Sequence, residues 1–182
     1  NGGYVLNGVK QFITSGKHAQ VVIAFAVTDP AAGKKGITAF IVPTDTPGYL
    51  VTRIEEKMGQ RASDTAQITF ENLHLSADLR LGGEGEGYRI ALANLEGGRI
   101  GIASQSVGMA RAAFEAALAY AKEREAFGRP IIDHQAIAFR LAEMLMEDEA
   151  MRWLIWKAAS QLERGLDATR STHHARLYAA EK

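Results

Sequence analysis

The chain has no cysteine among its 182 residues, which excludes disulfides and thiolate metal sites. It has no net charge either, with 21 Lys and Arg against 21 Asp and Glu. That balance offers no electrostatic attraction to nucleic acid or to an acidic membrane surface. No apolar run reaches the roughly 18 residues that a membrane-spanning helix needs. The opening "NGGYVLNG" has neither a basic n-region nor an apolar h-region, so it is not read as a signal peptide. It lacks an initiating Met and reads as the middle of a longer sequence, as does "ARLYAAEK", which stops within a helical pattern. None of the five histidines, His18, His74, His134, His173 and His174, sits at a metal-ligand spacing. There is no G-x-S-x-G motif and no P-loop. "GGEGEGY" and "EGGRIGIASQSVG" do not set G-x-G-x-x-G between a strand and a helix, as a dinucleotide fingerprint requires.

What is present is a globular composition, 47% hydrophobic, in two contrasting halves. Residues 3 to 76 alternate and are rich in Val, Ile, Thr and aromatics. "YVLNGVKQF" predicts a hairpin, because Asn-Gly at 7 and 8 supplies the two positive-φ positions of a type I′ turn. In "VKQFITSGK", Val9, Gln11 and Ile13 fall on one strand face and Lys10, Phe12 and Thr14 on the other. The strand ends in two hydroxyls and a glycine, Thr14-Ser15-Gly16. "VVIAFAV" (21–27) is uniformly apolar and predicts a buried strand. "DPAAGKKG" (29–36) reads as a loop, "ITAFIVP" (37–43) as a strand and "TDTPG" (44–48) as a turn. "YLVTRIE" and "AQITFENLHL" complete about six strands with no crossover helix between them, so the sheet should be mostly antiparallel.

After "GGEGEGY" (82–88) the periodicity becomes helical, with Phe114, Leu118 and Ala121 on one face. "FGRP" (127–130) breaks the helix. A second helix is expected from Asp133 to Arg164, with Ile137, Leu141, Met144, Met151, Ile155, Ala158 and Leu162 along one seam that Asp148 interrupts. A third begins after Asp167. The expected fold is α+β: an antiparallel sandwich- or barrel-like β domain over residues 1–82, then long antiparallel helices of an incomplete four-helix bundle over 83–182. A helix of 30 residues is about 45 Å long, more than the β half can cover, so further helices should pack on it.

Three features stand out as chemistry. One is the strand end at Phe12 to Gly16. In the second, "LEGGR" (95–99), Glu96 and Arg99 share a helix face across two glycines. Such a pair costs the helix roughly 2 kcal/mol against alanine, which close approach of another group to the backbone would explain. In the third, "EREAFGRPIIDHQ" (123–135), Arg124, Phe127, Arg129, His134 and Gln135 crowd a helix break. Guanidinium, aromatic and amide groups together suit a planar, phosphate-bearing ligand.

These stretches, with "KQFITSG", "MGQRASDTAQITFENLHL" and "GEGEGYRIALANLEGGRIGIASQSVGMARAAFEAALAYAKEREAFGRPIIDHQAIAFRLAEM", resemble the acyl-CoA dehydrogenase family of flavoproteins, most closely its short- and medium-chain members. The resemblance implies most of a middle β domain and about the first half of a C-terminal helical domain, in a subunit that usually forms a homotetramer. It implies FAD as cofactor, with Phe12, Ile13 and Thr14 along the isoalloxazine ring and Thr14 near its N5 edge. Arg124, Phe127, His134 and Gln135 would bind the pyrophosphate and adenosine side, typically of a neighbouring subunit's FAD. Glu96 and Arg99 would lie beside the acyl thioester and pantetheine. The family more often has Trp where Phe12 stands and usually Asp where Glu96 stands.

The implied reaction is α,β-dehydrogenation of a fatty acyl-CoA to the trans-2-enoyl-CoA. A glutamate removes the α-proton, hydride leaves the β-carbon for flavin N5, and electrons pass to electron-transferring flavoprotein. A minority of the family carries that glutamate at the position of Gly98, and most carry it on a later loop. No catalytic residue is therefore assigned here, and the base is expected beyond Lys182. Oxidases share this fold, and a non-catalytic oligomerising remnant is the alternative outside catalysis. Bacterial cytosol or, in a eukaryote, mitochondrial matrix would suit the chain.

Overall fold

A computed structural model describes residues 2–182. They form two compact units, one ending at Leu92 and the other beginning at Ala93.

The first unit is a pair of antiparallel sheets. Strands β1 (Gly3–Thr14), β5 (Thr65–Ser76) and β4 (Tyr49–Ile54) form one in the order β1-β5-β4; β2 (Val21–Val27), β3 (Ile37–Pro43) and the short β6 (Arg80–Leu81) form the other in the order β2-β3-β6. Their inner faces share one core: Leu6, Ile68, Phe70, Leu73 and Leu75 from the first sheet meet Ala24, Phe40 and Val42 from the second.

The Asn-Gly hairpin does not form. β1 runs through Asn7 and Gly8 as one strand of 12 residues paired along β5. A type I′ turn needs positive φ at both central residues, and only Gly8 has it. Asn7 instead accepts a hydrogen bond on its side-chain oxygen from the Asn72 backbone N–H at 2.8 Å. The ladder shifts register between Leu6 and Gly8, and again between Lys10 and Ile13. The second shift overturns the expected alternation. Gln11 and Phe12 together oppose Gln67 alone, so Ile13 faces the core with Lys10 rather than with Val9.

β2 is not buried as its composition predicts. It is an edge strand whose Val22, Ala24 and Ala26 meet the core while Val21, Ile23 and Val27 stay exposed. Uniform apolarity reports that both faces can be covered, not that both are. The loop at Pro30–Gly36 is built of two short 3₁₀ turns broken at Gly33, where φ is 55°. The Asp29 carboxylate accepts from the Ala31 N–H at 2.9 Å and Pro30 opens the turn. A Cβ on Gly36 would stand 1.8 Å from the Asp29 carbonyl oxygen.

The second unit is helical. Helix α1 (Gly87–Glu123) begins in the first unit and continues through the second; a tight hairpin of β7 (Glu125–Ala126) and β8 (Arg129–Pro130) leads to α2 (Gln135–Glu163), and α3 (Thr169–Glu181) follows. The start of α2 falls two residues after the expected Asp133, because Ile131–Asp133 forms a 3₁₀ turn first. Ala103 packs with Met151 and Ile155, whereas Phe114 and Ala121 pack with Leu141. Rising numbers on α1 meet falling numbers on α2, so the two run antiparallel. Ala175 and Ala179 join α3 to the same cluster. Of the expected seam, Leu141, Met151, Ile155 and Ala158 are buried, while Ile137 and Leu162 at its ends are exposed. Phe139, Met146, Trp153 and Trp156 leave a second apolar face of α2 open. No helix among the described residues is long and apolar enough to cross a membrane.

Asp148, which interrupts the seam, is 1% exposed. One carboxylate oxygen meets the Arg111 Nη1 of α1 at 3.4 Å, and the other has no partner among the described residues. The Glu115 and Asp148 carboxylates raise Arg111 above its ordinary value. A buried pair of this kind is weak support for stability, yet removing one partner strands the other charge.

Two outcomes follow in urea titrations. Gly36→Ala is expected to cost at least about 2 kcal/mol, since the methyl must displace backbone. Arg111→Met alone should lower the midpoint more than Arg111→Met combined with Asp148→Leu, which restores an unbroken apolar seam.

Candidate flavin and acyl-thioester site

In the β unit, the second register shift of β1 decides how the strand end is presented. Phe12 has φ 59°, a region a bulky side chain seldom enters, and its ring is 67% exposed. Ile13 turns inward against the core and pairs with Ala66, while Thr14 pairs with Thr65 and is exposed. Ser15, with φ 56°, turns the chain away from the sheet. The bulge thus places an exposed aromatic ring and a hydroxyl near the same strand end, with the residue between them anchored in the core.

In the helical unit, the hairpin after α1 gathers five side chains. Phe127 (φ 54°) and Gly128 (φ 79°) both take positive φ between β7 and β8, so the two-residue turn absent at Asn7-Gly8 occurs here. The Phe127 ring is 97% exposed, held edge-on to His134 with centroids 5.9 Å apart. Arg129 donates to His134 Nδ1 at 3.2 Å. A guanidinium only donates, so Nδ1 is an acceptor and Nε2 carries the proton, which it donates to the Ala126 carbonyl at 3.0 Å. His134 is a neutral strut across the hairpin. Arg124, whose carbonyl accepts from the Ile131 N–H at 2.8 Å, and Gln135 at the start of α2 are exposed beside it.

Glu96 and Arg99 lie on α1, both half-buried. They do not bond one another: Glu96 accepts from the Thr169 hydroxyl of α3 at 3.1 Å. A Cβ at Gly97 or Gly98 would meet nothing within 4 Å, so no described part of the chain supplies the close approach that would explain these glycines. The structure therefore groups Phe12 to Thr14, groups Arg124 to Gln135, and sets Glu96 and Arg99 on one helix. Sequence reasoning missed Asp64 and Tyr49, which hold the corner after Thr14; the register of β5 and β4 brings them there, and no local pattern marks them. Among the described residues, no group of three or more His, Asp or Glu is placed to hold a metal ion.

The acyl-CoA dehydrogenase middle domain matches residues 1–73 and the acyl-CoA dehydrogenase C-terminal domain residues 85–182. The chain belongs to the acyl-CoA dehydrogenase family. An acyl-CoA dehydrogenase of Bacillus subtilis (strain 168) is 46% identical over 181 residues, covering 100% of this chain and 48% of that protein. The solved structure of butyryl-CoA dehydrogenase from Megasphaera elsdenii superposes with a TM-score of 0.95 at 43% identity, covering 98% of this chain and 47% of that one. The structure of an FAD-dependent dehydrogenase superposes at 0.93 with 32% identity, covering 98% of this chain and 48% of that one. This acyl-CoA dehydrogenase chain spans about half the length of the relatives it matches.

The hairpin permits a clean separation of folding from ligand contact. His134→Ala should lower stability by about 1–2 kcal/mol, because it deletes two hydrogen bonds. Phe127→Gly should change it by less than about 0.5 kcal/mol, since the ring is solvent-exposed and glycine accepts its φ. Thermal melts of the two variants check this.

Proposed function

We propose that the full-length protein containing this chain is an FAD-dependent acyl-CoA dehydrogenase that converts a fatty acyl-CoA to its trans-2-enoyl-CoA, passes electrons to electron-transferring flavoprotein and works as a homo-oligomer, a tetramer as is usual in the family. The observation that carries this reading is the bulge at Phe12, which leaves a flat apolar ring exposed near a threonine hydroxyl. These groups fit an isoalloxazine ring: Phe12 covers part of one face, and Thr14 offers a donor to its polar edge. Arg124, Phe127 and Gln135 fit the pyrophosphate and adenosine side of an FAD held by a neighbouring subunit, with donors for a pyrophosphate and a ring and an amide for the adenosine. His134 keeps that hairpin in shape. The likeness to butyryl-CoA dehydrogenase and to an FAD-dependent dehydrogenase supports the substrate class and the cofactor.

When bound, FAD supplies the hydride acceptor for the β-carbon of the acyl chain. The chain's own residues do the positioning. Thr14 sets the hydrogen-bonding environment of the flavin edge, and Phe12 excludes water from that side. Glu96 and Arg99 meet the thioester and pantetheine, with Arg99 free of any ion pair to Glu96. No carboxylate here is assigned the base. Gly98, at the position where a minority of the family carries it, has no side chain, so the base is proposed to come from outside residues 1–182.

The full-length protein should purify yellow and bleach on anaerobic addition of butyryl-CoA or octanoyl-CoA, then recover its colour with electron-transferring flavoprotein. A colourless protein that binds no FAD overturns the reading, and rapid recovery with oxygen alone replaces it by an oxidase. Arg124→Ala should weaken FAD binding about 10- to 100-fold, the range of one or two charge-assisted hydrogen bonds, measured by quenching of flavin fluorescence.

A further inference from the structure

The corner that follows Thr14 is held from outside the strand. The Ser15 N–H donates to the Asp64 carbonyl at 3.0 Å, and the Lys17 N–H donates to the Asp64 carboxylate at 2.9 Å. The Tyr49 hydroxyl donates to the Gly16 carbonyl at 2.6 Å. The Gly16 N–H reaches the Ile13 carbonyl at 3.3 Å, and the Ser15 carbonyl accepts from His18 and Ala19. Gly16 is buried so closely that a Cβ there would stand 3.0 Å from the Ala66 methyl and 3.1 Å from Ile68 Cδ1. Asp64 is itself only 15% exposed in its side chain, with the His18 imidazole 3.8 Å from its other oxygen.

We infer that Asp64, with Tyr49 as its second anchor, is a positioning residue that fixes Thr14 against the flavin edge. The inference rests on the function proposed above. Ile13 and Thr14 lie between two residues with positive φ, Phe12 and Ser15. Such backbone persists only where its surroundings over-determine it. On one side the Ile13 side chain in the core does this; on the other the work falls to Asp64, which grips the chain twice, through its carbonyl and its carboxylate. The carboxylate makes the stronger, charge-assisted bond, and it reaches the Lys17 N–H beyond the turn. Tyr49 completes the grip at Gly16. Burial, and then the Asp64 charge, raises its phenol above the ordinary value. The ladder sets Thr14 opposite Thr65, and the bonds to Ser15, Gly16 and Lys17 fix the turn that leaves Thr14 and so hold its exposed hydroxyl from the other side. A hydroxyl that tunes a cofactor needs tolerance of about half an ångström, which such a supporting shell provides.

A plain structural role would lower stability and leave the bound flavin unchanged, so the test reads the flavin itself in the full-length protein. Asp64→Asn keeps an oxygen for the Lys17 N–H, and Asp64→Ala removes it. FAD bound to Asp64→Ala should show a shifted visible band and a changed midpoint potential, with affinity weakened about tenfold. Asp64→Asn should return all three most of the way to the parent values. Tyr49→Phe, which deletes a single hydroxyl, should shift band and potential in the same direction by less, and it decides the matter if Asp64→Ala does not fold. Unaltered band and potential in FAD-loaded Asp64→Ala or, failing that, Tyr49→Phe overturn the positioning role alone. A parent protein that binds no FAD overturns the proposed function and this inference together.

Discussion

The antiparallel pairing of β1 with β5 is the interaction on which the β unit depends. Each strand has 12 residues, and β5 also carries β4 on its other side. Because side chains alternate along a strand, every register shift exchanges the buried and exposed sets. The first shift, on β5, lets Leu73 and Leu75 join Ile68 and Phe70 in the core, and the second, on β1, lets Ile13 face inward with Tyr4 and Leu6. The second shift is also what lifts Phe12 into the open. The same ladder closes on Thr14 and Thr65, which carries Asp64 to the corner that it holds. Core packing and presentation of the candidate site are two results of one register.

The helical unit solves a different problem. Its long helices are joined by the two short strands of a hairpin, so the turn must reverse the chain within a few residues. Phe127 takes a positive φ to do so and projects its ring into solvent. Exposing a ring at a strained position is a poor choice for folding alone. His134 bears the structural part of the task through Arg129 and Ala126. Asp148 shows a comparable division: it interrupts an apolar seam, and Arg111 on the facing helix is its ion-pair partner among the described residues.

Much of this was legible in the residues. The strands at Ile37–Pro43 and Thr65–Ser76, the turn at Pro47 and Gly48, the helix face of Phe114, Leu118 and Ala121, and the start of α3 after Asp167 all follow from short-range periodicity, turn chemistry and capping. The crowding of Arg124, Phe127, Arg129, His134 and Gln135 at a helix break was also legible, because all five lie in one short stretch that folds as a hairpin. Asn7-Gly8 misled because an Asn-Gly pair reports what a turn would accept, while a long partner strand decides whether the chain turns. Val21–Val27 misled because composition cannot say which face is left uncovered.

By itself the sequence determined the two-part α+β order, the family and the short stretch that becomes the hairpin after α1, since each depends on neighbours within a few positions. Only the tertiary structure decided the register of β1 on β5, the outward ring of Phe12, the neutral strut of His134, the partner of Asp148 and the grip of Asp64 and Tyr49 on the corner. Each of these joins residues whose contact is set by strand pairing, helix packing or a tight turn. Such pairings are selected by the summed burial and hydrogen bonding of a whole unit, and no short segment contains that sum.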